Sequence, residues 1–253
     1  MTNVLVCIKR SVDIAGHVVL DEAGTALDGR YSGYTISDHE LAAVELAIAV
    51  AEAGSGSVTV LTVGDEDAVE QLRYALSFGA HDAIRIAAAS TEHRPEDIAA
   101  AIADVVSAHD PGYDLVLLGN DAADTGDFQV GIRLAYALDW PVVSRVQQVE
   151  VRDGVAHLRA RSAEGTERYE VALPAVACVL EGGVSPRYPS MRGRMRAKKA
   201  PIDTVTPARR LQGTGALGLR VPPVEGGEVT ILGEGPGAVP AIVDVLRRTG
   251  VVS

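Results

Sequence analysis

Thirteen consecutive residues hold most of the chain's site-type chemistry: Gly119, Asn120, Asp121, Ala122, Ala123, Asp124, Thr125, Gly126, Asp127, Phe128, Gln129, Val130 and Gly131. They follow an apolar run at 114–118 and lead into a helical pattern. Free amides at a helix start favour an anion such as phosphate. Gly126 and Gly131 permit close backbone approach. Three carboxylates oppose an anion unless they cap amides or face solvent, and a metal held by the Asp triplet is the alternative reading. A second stretch, residues 186–199, places six of the chain's 23 basic residues in fourteen positions with no acid among them. It reads either as a solvated basic loop or as a docking loop. In the second reading Met191 is an apolar anchor and Arg192, Arg194, Arg196, Lys198 and Lys199 steer an acidic partner.

Other machinery is absent from the sequence. The six His residues, at 17, 39, 81, 93, 109 and 157, form no i, i+4 pair and none lies near a Cys, so common zinc spacings are missing. There is no Gly-x-Ser-x-Gly elbow and no Gly-x4-Gly-Lys-Ser/Thr loop. Cys7 and Cys178 both fall in strand-like runs, where Cys acts as a small buried hydrophobe. The string Gly233-Glu234-Gly235-Pro236-Gly237-Ala238 looks like a dinucleotide fingerprint. Such a fold needs a further strand and an acidic residue about 20 positions on. A helix-start loop is the better reading.

These residues must be positioned by elements, and the composition says of what kind. The chain has 253 residues, 47% hydrophobic and 23% charged, with a net charge of −11. An acidic whole argues against nucleic acid or a membrane surface as partner. No apolar run reaches about 18 residues, and residues 1–10 do not read as a secretory signal, so the cytoplasm is expected. Two Cys exclude a disulfide scaffold. With two Phe and one Trp, the core must be aliphatic.

Apolar runs at 4–8, 58–63, 83–86 and 114–118 alternate with helical patterns at 40–53, 67–78, 95–109 and 128–138. Ser37 or Asp38 caps the first helix. This alternation predicts an α/β, Rossmann-like, mostly parallel sheet flanked by helices. Ligands of such sheets bind outside the carboxyl ends of strands, so the loops after Ile8, Val63 and Leu118 matter most. Strand-like runs at 146–151, 156–160, 168–172 and 176–180, separated by Asp153-Gly154 and Glu164-Gly165, predict an antiparallel extension from about residue 142. Residues 181–227 are rich in Gly and Pro and read as an extended arm. A last strand at 229–232 and a last helix at 238–248 are expected.

Several segments, in order, resemble the β subunit of electron-transfer flavoprotein. The opening apolar strand followed by Lys9-Arg10-Ser11-Val12-Asp13 is similar to the family's start. So are Val44-Glu45-Leu46-Ala47, Arg73-Tyr74-Ala75-Leu76-Ser77-Phe78-Gly79-Ala80 and the stretch from Asp114 to Gly131. Further on come the Glu164-Gly165-Thr166-Glu167 hairpin with Leu173-Pro174-Ala175-Val176, then Pro186-Arg187-Tyr188 and Met195-Arg196-Ala197-Lys198-Lys199.

The resemblance implies a heterodimer with an electron-transfer flavoprotein α subunit and one FAD held mainly by α at the interface. It implies a structural AMP on β, with acyl-CoA or other dehydrogenases as donors and a membrane quinone oxidoreductase as acceptor. Such a subunit has no catalytic residues of its own and serves electron transport, fatty acid oxidation included. Carried over by position, the AMP site is Cys7, Ser37, Asp38, His39, Glu40, Val63 and residues Gly119 to Val130, and Met191 anchors the recognition loop. The implied organisation is a nucleotide-binding domain at 1–185, a recognition loop at 186–200 and a C-terminal arm at 201–253 that packs on the partner. Ser37-Asp38-His39 stands where the family commonly has Asn-Pro-Phe/Tyr, Ile14 where it often has an aromatic, and Met191 where it has Leu. Phe128 and Val130 replace more polar residues. The alternatives are an electron-bifurcating relative with a second FAD on β, and an adenine-nucleotide-binding module of the stress-protein type.

Overall fold

The computed structural model describes all residues except 14–18, 25–26, 29, 31–32, 90–92, 214–217, 222, 224–228 and 253. Ile14, which stands where the family often has an aromatic, therefore lies outside the described residues. Chain contacts divide the molecule into residues 1–219 and 220–253.

The larger unit is built on one sheet. Its strands are β1 (Val4–Cys7), β4 (Val58–Gly64), β5 (Asp82–Ala87), β6 (Leu115–Gly119), β7 (Val142–Arg152), β8 (Val155–Arg161), β9 (Thr166–Ala172), β10 (Ala175–Val179) and β11 (Asp203–Val205). They run in the order β11-β5-β4-β1-β6-β10-β7-β8-β9. A separate antiparallel pair joins β2 (Ser11–Val12) to β3 (Tyr34–Thr35). β1, β4 and β10 are buried along their whole length, as apolar strands covered on both faces must be.

Helices cover both faces. α1 (Asp38–Gly54) and α2 (Val69–Phe78) pack their Ala, Val and Leu side chains into one core layer with Val4, Val6, Val58 and Val60. α3 (Pro95–Ala108) and α4 (Val130–Leu138) close the opposite layer over Leu5, Leu61, Val116 and Leu118. Ser37 is the cap of α1, and Glu40 completes a reciprocal capping box. Ser55, just past Gly54, takes the left-handed conformation that ends that helix.

Three expectations need correction. The run at 176–180 is not part of the antiparallel extension: β10 inserts between β6 and β7 and is parallel to both. Only β7, β8 and β9 form the antiparallel ladder. The stretch at 181–227 is not simply an extended arm. It contains β11, which extends the parallel sheet beside β5, and the helix α5 (Met191–Lys199). The run at 229–232 forms no strand. In the smaller unit a short 3-10 turn, Gly235–Ala238, leads into α6 (Val239–Arg248), so the glycine string is a helix-start loop.

Candidate functional site

β1 is flanked by β4 on one side and β6 on the other, so the chain reverses its direction of travel across the sheet there. A crevice opens at the carboxyl ends of strands at such a point. A narrow cavity of about 90 Å³ lies there. β1 and its continuation supply Cys7, Ile8 and Lys9; β4 supplies Leu61 and Val63; β6 and its loop supply Leu118 to Ala122. α1 contributes Glu40, α3 contributes Ile98 and Ile102, and the approach to α4 contributes Asp127, Phe128, Val130 and Gly131.

Glycine makes two of these approaches possible. A Cβ on Gly119 would sit 3.0 Å from the Glu40 Cγ and 3.3 Å from the His39 Cβ, so Gly119 lets the start of α1 meet the end of β6. A Cβ on Gly131 would fall 2.3 Å from the Cys178 Sγ, so Gly131 lets α4 descend onto the sheet.

The carboxylates that oppose an anion are each occupied. Asp124 forms an ion pair with the Lys9 Nζ at 2.7 Å. Asp121 accepts from the His39 Nε2 at 2.8 Å. The His39 Nδ1 accepts the Glu181 amide at 2.9 Å, so the ring hydrogen is placed on Nε2. Asp127 accepts the Gln129 amide at 2.8 Å. The amides of Val130, Gly131 and Ile132 lie before the first helical bond, which runs from the Arg133 amide to the Gln129 carbonyl. Three orphan donors and the positive helix end thus remain beside the cavity.

Glu40 is buried in the wall. Its Oε1 accepts the Lys9 amide at 2.7 Å, and its Oε2 accepts the Ser37 amide at 3.0 Å and the Ser37 hydroxyl at 2.8 Å. Burial raises its pKa to about 7, against the opposing pull of the Ser37 and Lys9 donors. Burial, with a smaller push from Glu40, raises the Cys7 thiol far above its usual range, and burial pushes Cys178 up to about 12. Both are packed thiols without thiolate character.

Of the residues expected here, Cys7, Glu40, Val63, Gly119, Asn120, Asp121, Ala122, Asp127, Phe128 and Val130 line the cavity. Ser37, His39 and Asp124 support it from behind through Glu40, Asp121 and Lys9. Ala123, Thr125 and Gly126 form the tight loop between, closed by the Gly126 amide on the Ala122 carbonyl at 2.7 Å. Asp38 is exposed away from the cavity wall. Gln129 turns outward, its Oε1 held by Arg133 at 2.7 Å. Ile8, Lys9, Leu61, Ile98, Ile102 and Leu118 line the wall beyond the residues expected, and Lys9 is the one charged side chain among them. Its signal was its place just past the carboxyl end of β1.

The basic stretch is a helix docked on α2. Arg73 of α2 donates to the carbonyls of Ala197, Lys198 and Ala200 at 2.6–3.2 Å, closing the end of α5. Arg196 of α5 donates to the carbonyls of Leu76 at 3.1 Å and Ala80 at 3.4 Å, closing the end of α2. Arg187 grips Glu45 and Glu52 of α1 at 2.9 Å, which raises its pKa and lowers that of Glu52. Arg192, Arg194, Lys198 and Lys199 are exposed. Met191 and Met195, one helical turn apart, are 77% and 58% exposed, and Tyr188 before them is 96% exposed. Among the described residues no cluster of metal-binding side chains occurs and no helix is long and apolar enough to cross a membrane.

Residues 27–209 match the family model of the electron transfer flavoprotein domain. The chain is 33% identical to the electron transfer flavoprotein subunit beta of Bacillus subtilis, over 79% of this chain and 77% of that protein. It is 32% identical to the subunit beta of Syntrophomonas wolfei, over 98% of this chain and 96% of that one. It is 31% identical to the Caffeyl-CoA reductase-Etf complex subunit CarD of Acetobacterium woodii, over 79% and 76%.

Proposed function

This chain belongs to the electron transfer flavoprotein family, as a relative of its β subunits, and on that premise we propose that it is a nucleotide-holding, partner-docking half of an electron carrier. It pairs with an α subunit and holds AMP as a structural ligand in the cavity at the end of β1 and β6. It helps to hold one FAD that carries electrons from acyl-CoA or other dehydrogenases to a membrane quinone oxidoreductase. The single observation that supports the AMP site most is the pairing of Asp121, Asp124 and Asp127. Asp124 is neutralised by Lys9, and Asp121 and Asp127 are each held by a hydrogen-bond donor, which leaves the free amides of Val130 and Gly131 available to a phosphate. The apolar floor of Leu61, Val63, Ile98 and Ile102 suits a purine, and Phe128 at the rim offers an aromatic face.

FAD, when bound, supplies the redox chemistry, and the protein tunes its potential through surrounding dipoles. The chain's own residues bind, orient and dock. α5 presents Met191, Met195 and Tyr188 as an apolar contact with exposed cations around it, which fits an acidic partner surface. The exposed apolar side chains of α6, Val239 and Ile242, fit a cover supplied by the α subunit.

The test is co-purification with the α subunit, acid release of ligands and chromatographic counting. One FAD and one AMP per pair is the expected result. Two FAD with no AMP would replace this reading with the bifurcating one, and a pair without flavin would overturn the electron-carrier role.

A further inference from the structure

We propose that the cavity between β3, α2 and α5 is an anchor pocket, which receives an acidic side chain and the short segment carrying it from a donor dehydrogenase. The inference rests on the docking role of α5 given above and deepens it by naming the complementary group on the partner. The cavity has a volume of about 460 Å³ and shares no lining residue with the nucleotide crevice. Tyr34 and Thr35 of β3 line it on one side, Gln71 and Tyr74 of α2 on another, and Arg194 and Lys198 of α5 on a third.

Its aromatic walls are set before any partner arrives. The Arg10 guanidinium carbon stands 3.3 Å from the centre of the Tyr34 ring, and Arg10 is itself paired with Asp67 at 3.6 Å. Tyr74 meets the buried Phe78 edge to face, with ring centres 5.0 Å apart and planes at 89°. Backed in this way, Tyr34 and Tyr74 still keep 40% and 42% exposure, so each offers ring surface to an incoming chain. Gln71 between them is 4% exposed, and its Oε1 has no hydrogen-bond partner among the described residues. An orphaned acceptor marks a missing donor, and the backbone amides of an entering segment are donors of that kind.

The charges choose the occupant. Arg73, Arg194 and Lys198 line the cavity against one acid, Glu70, so the lining is net positive on a chain of net charge −11. Arg73 is spent on the carbonyls that end α5. Glu70 is exposed, and Arg73 follows it by three positions on the same helix, which offsets its charge within α2. Arg194 and Lys198 are exposed, and their side chains make no hydrogen bond or ion pair with a described residue. They stand four positions apart on α5, the spacing at which two cations reach one carboxylate. The same helical periodicity puts them beside Met191 and Met195. A partner that covers the two Met side chains therefore lies over the mouth of the cavity. The chain gives an apolar anchor and takes an acidic one across the same interface.

The experiment is stopped-flow reduction of the αβ heterodimer by an acyl-CoA dehydrogenase at about 1 M salt, where a screening length of about 3 Å leaves only contacts. T35W fills the cavity without changing a charge, and K198E reverses one of its two free cations. Each should slow transfer about tenfold, the scale of one charge-assisted contact, with FAD content unchanged. Lysine scanning of the exposed Asp and Glu residues of the dehydrogenase should find a position that restores the rate of K198E. Should T35W lose its fold, K198E and its rescue carry the test alone, because Lys198 is exposed. If M191A slows transfer while folded T35W and K198E match the wild type, the pocket is overturned and the docking face on α5 stands. A slow K198E that no lysine on the dehydrogenase rescues overturns the acidic occupant. If M191A, T35W and K198E all match the wild type, the docking role of α5 itself fails.

Discussion

Glu40 shows how one side chain couples strand, helix and cavity. Its carboxylate closes the capping box of α1 and holds the chain just after β1 through the Lys9 amide. Burial raises its pKa from 4.5 to about 7, so the folded protein binds this proton more tightly than the unfolded chain does. Its contribution to stability is therefore largest below about pH 4.5 and is lost as pH rises through about 7. A shift of this size corresponds to roughly 3 kcal/mol, an upper figure for a group so well hydrogen-bonded. E40Q removes the titration and keeps the shape. The melting temperature of the wild type minus that of E40Q should fall as pH is raised from 5 to 8. A difference that is flat with pH would show that Glu40 stays ionised in the folded chain. In the sequence, Glu40 enters the site only through the family resemblance, and nothing there shows its burial. Its depth depends on Gly119, 79 positions later, which lets β6 come within contact of it.

At the scale of elements, the sequence signals that succeeded were periodic. β1, β4, β5 and β6 are short apolar runs, and the helices between them carry aliphatic faces, so both their type and their parallel arrangement were legible. α5 was not, because it has almost no apolar buried face: Ala197 is its one buried residue. It is held instead by polar caps, Arg73 on its own end and Arg196 on the end of α2, and such reciprocal capping leaves no period to read. Close approach completes the docking. A Cβ on Gly193 would lie 2.3 Å from the Ser77 carbonyl oxygen, a backbone atom that cannot swing away. G193A should therefore lift α5 from α2 at a cost of about 1–3 kcal/mol. Hydrogen exchange should show the loss of protection confined to the end of α2 and to residues 186–200. Unchanged protection there would mean that the two helices tolerate a wider spacing. The same reasoning applies to α4. G131V must push that helix off Cys178, so the heterodimer should retain less adenine nucleotide after purification, and full retention would place the nucleotide elsewhere.

At the scale of the whole molecule, charge is divided unevenly. The net charge is −11, yet residues 186–199 carry six cations and no acid. This asymmetry was legible in composition, but the division of labour within it was not. Arg187 and Arg196 are spent on the fold, gripping α1 and α2. Arg192, Arg194, Lys198 and Lys199 are exposed and free to meet a partner. A basic face on an acidic body orients an approaching acidic protein and repels it elsewhere, which raises the encounter rate. The effect must fade with salt, since the screening length falls from about 30 Å at 0.01 M to about 3 Å at 1 M. The rate of electron transfer from a donor dehydrogenase should thus drop steeply as salt is added. R192E with R194E should be slow at low salt and nearly insensitive to added salt, with FAD content unchanged. Met191 and Met195 act at contact range, so M191A should slow transfer by a similar factor at every salt concentration. Stopped-flow rates across an ionic-strength series separate the two. Charge reversal that leaves the salt dependence intact would move the docking face away from α5, whereas a salt-independent loss in M191A would locate the contact on it.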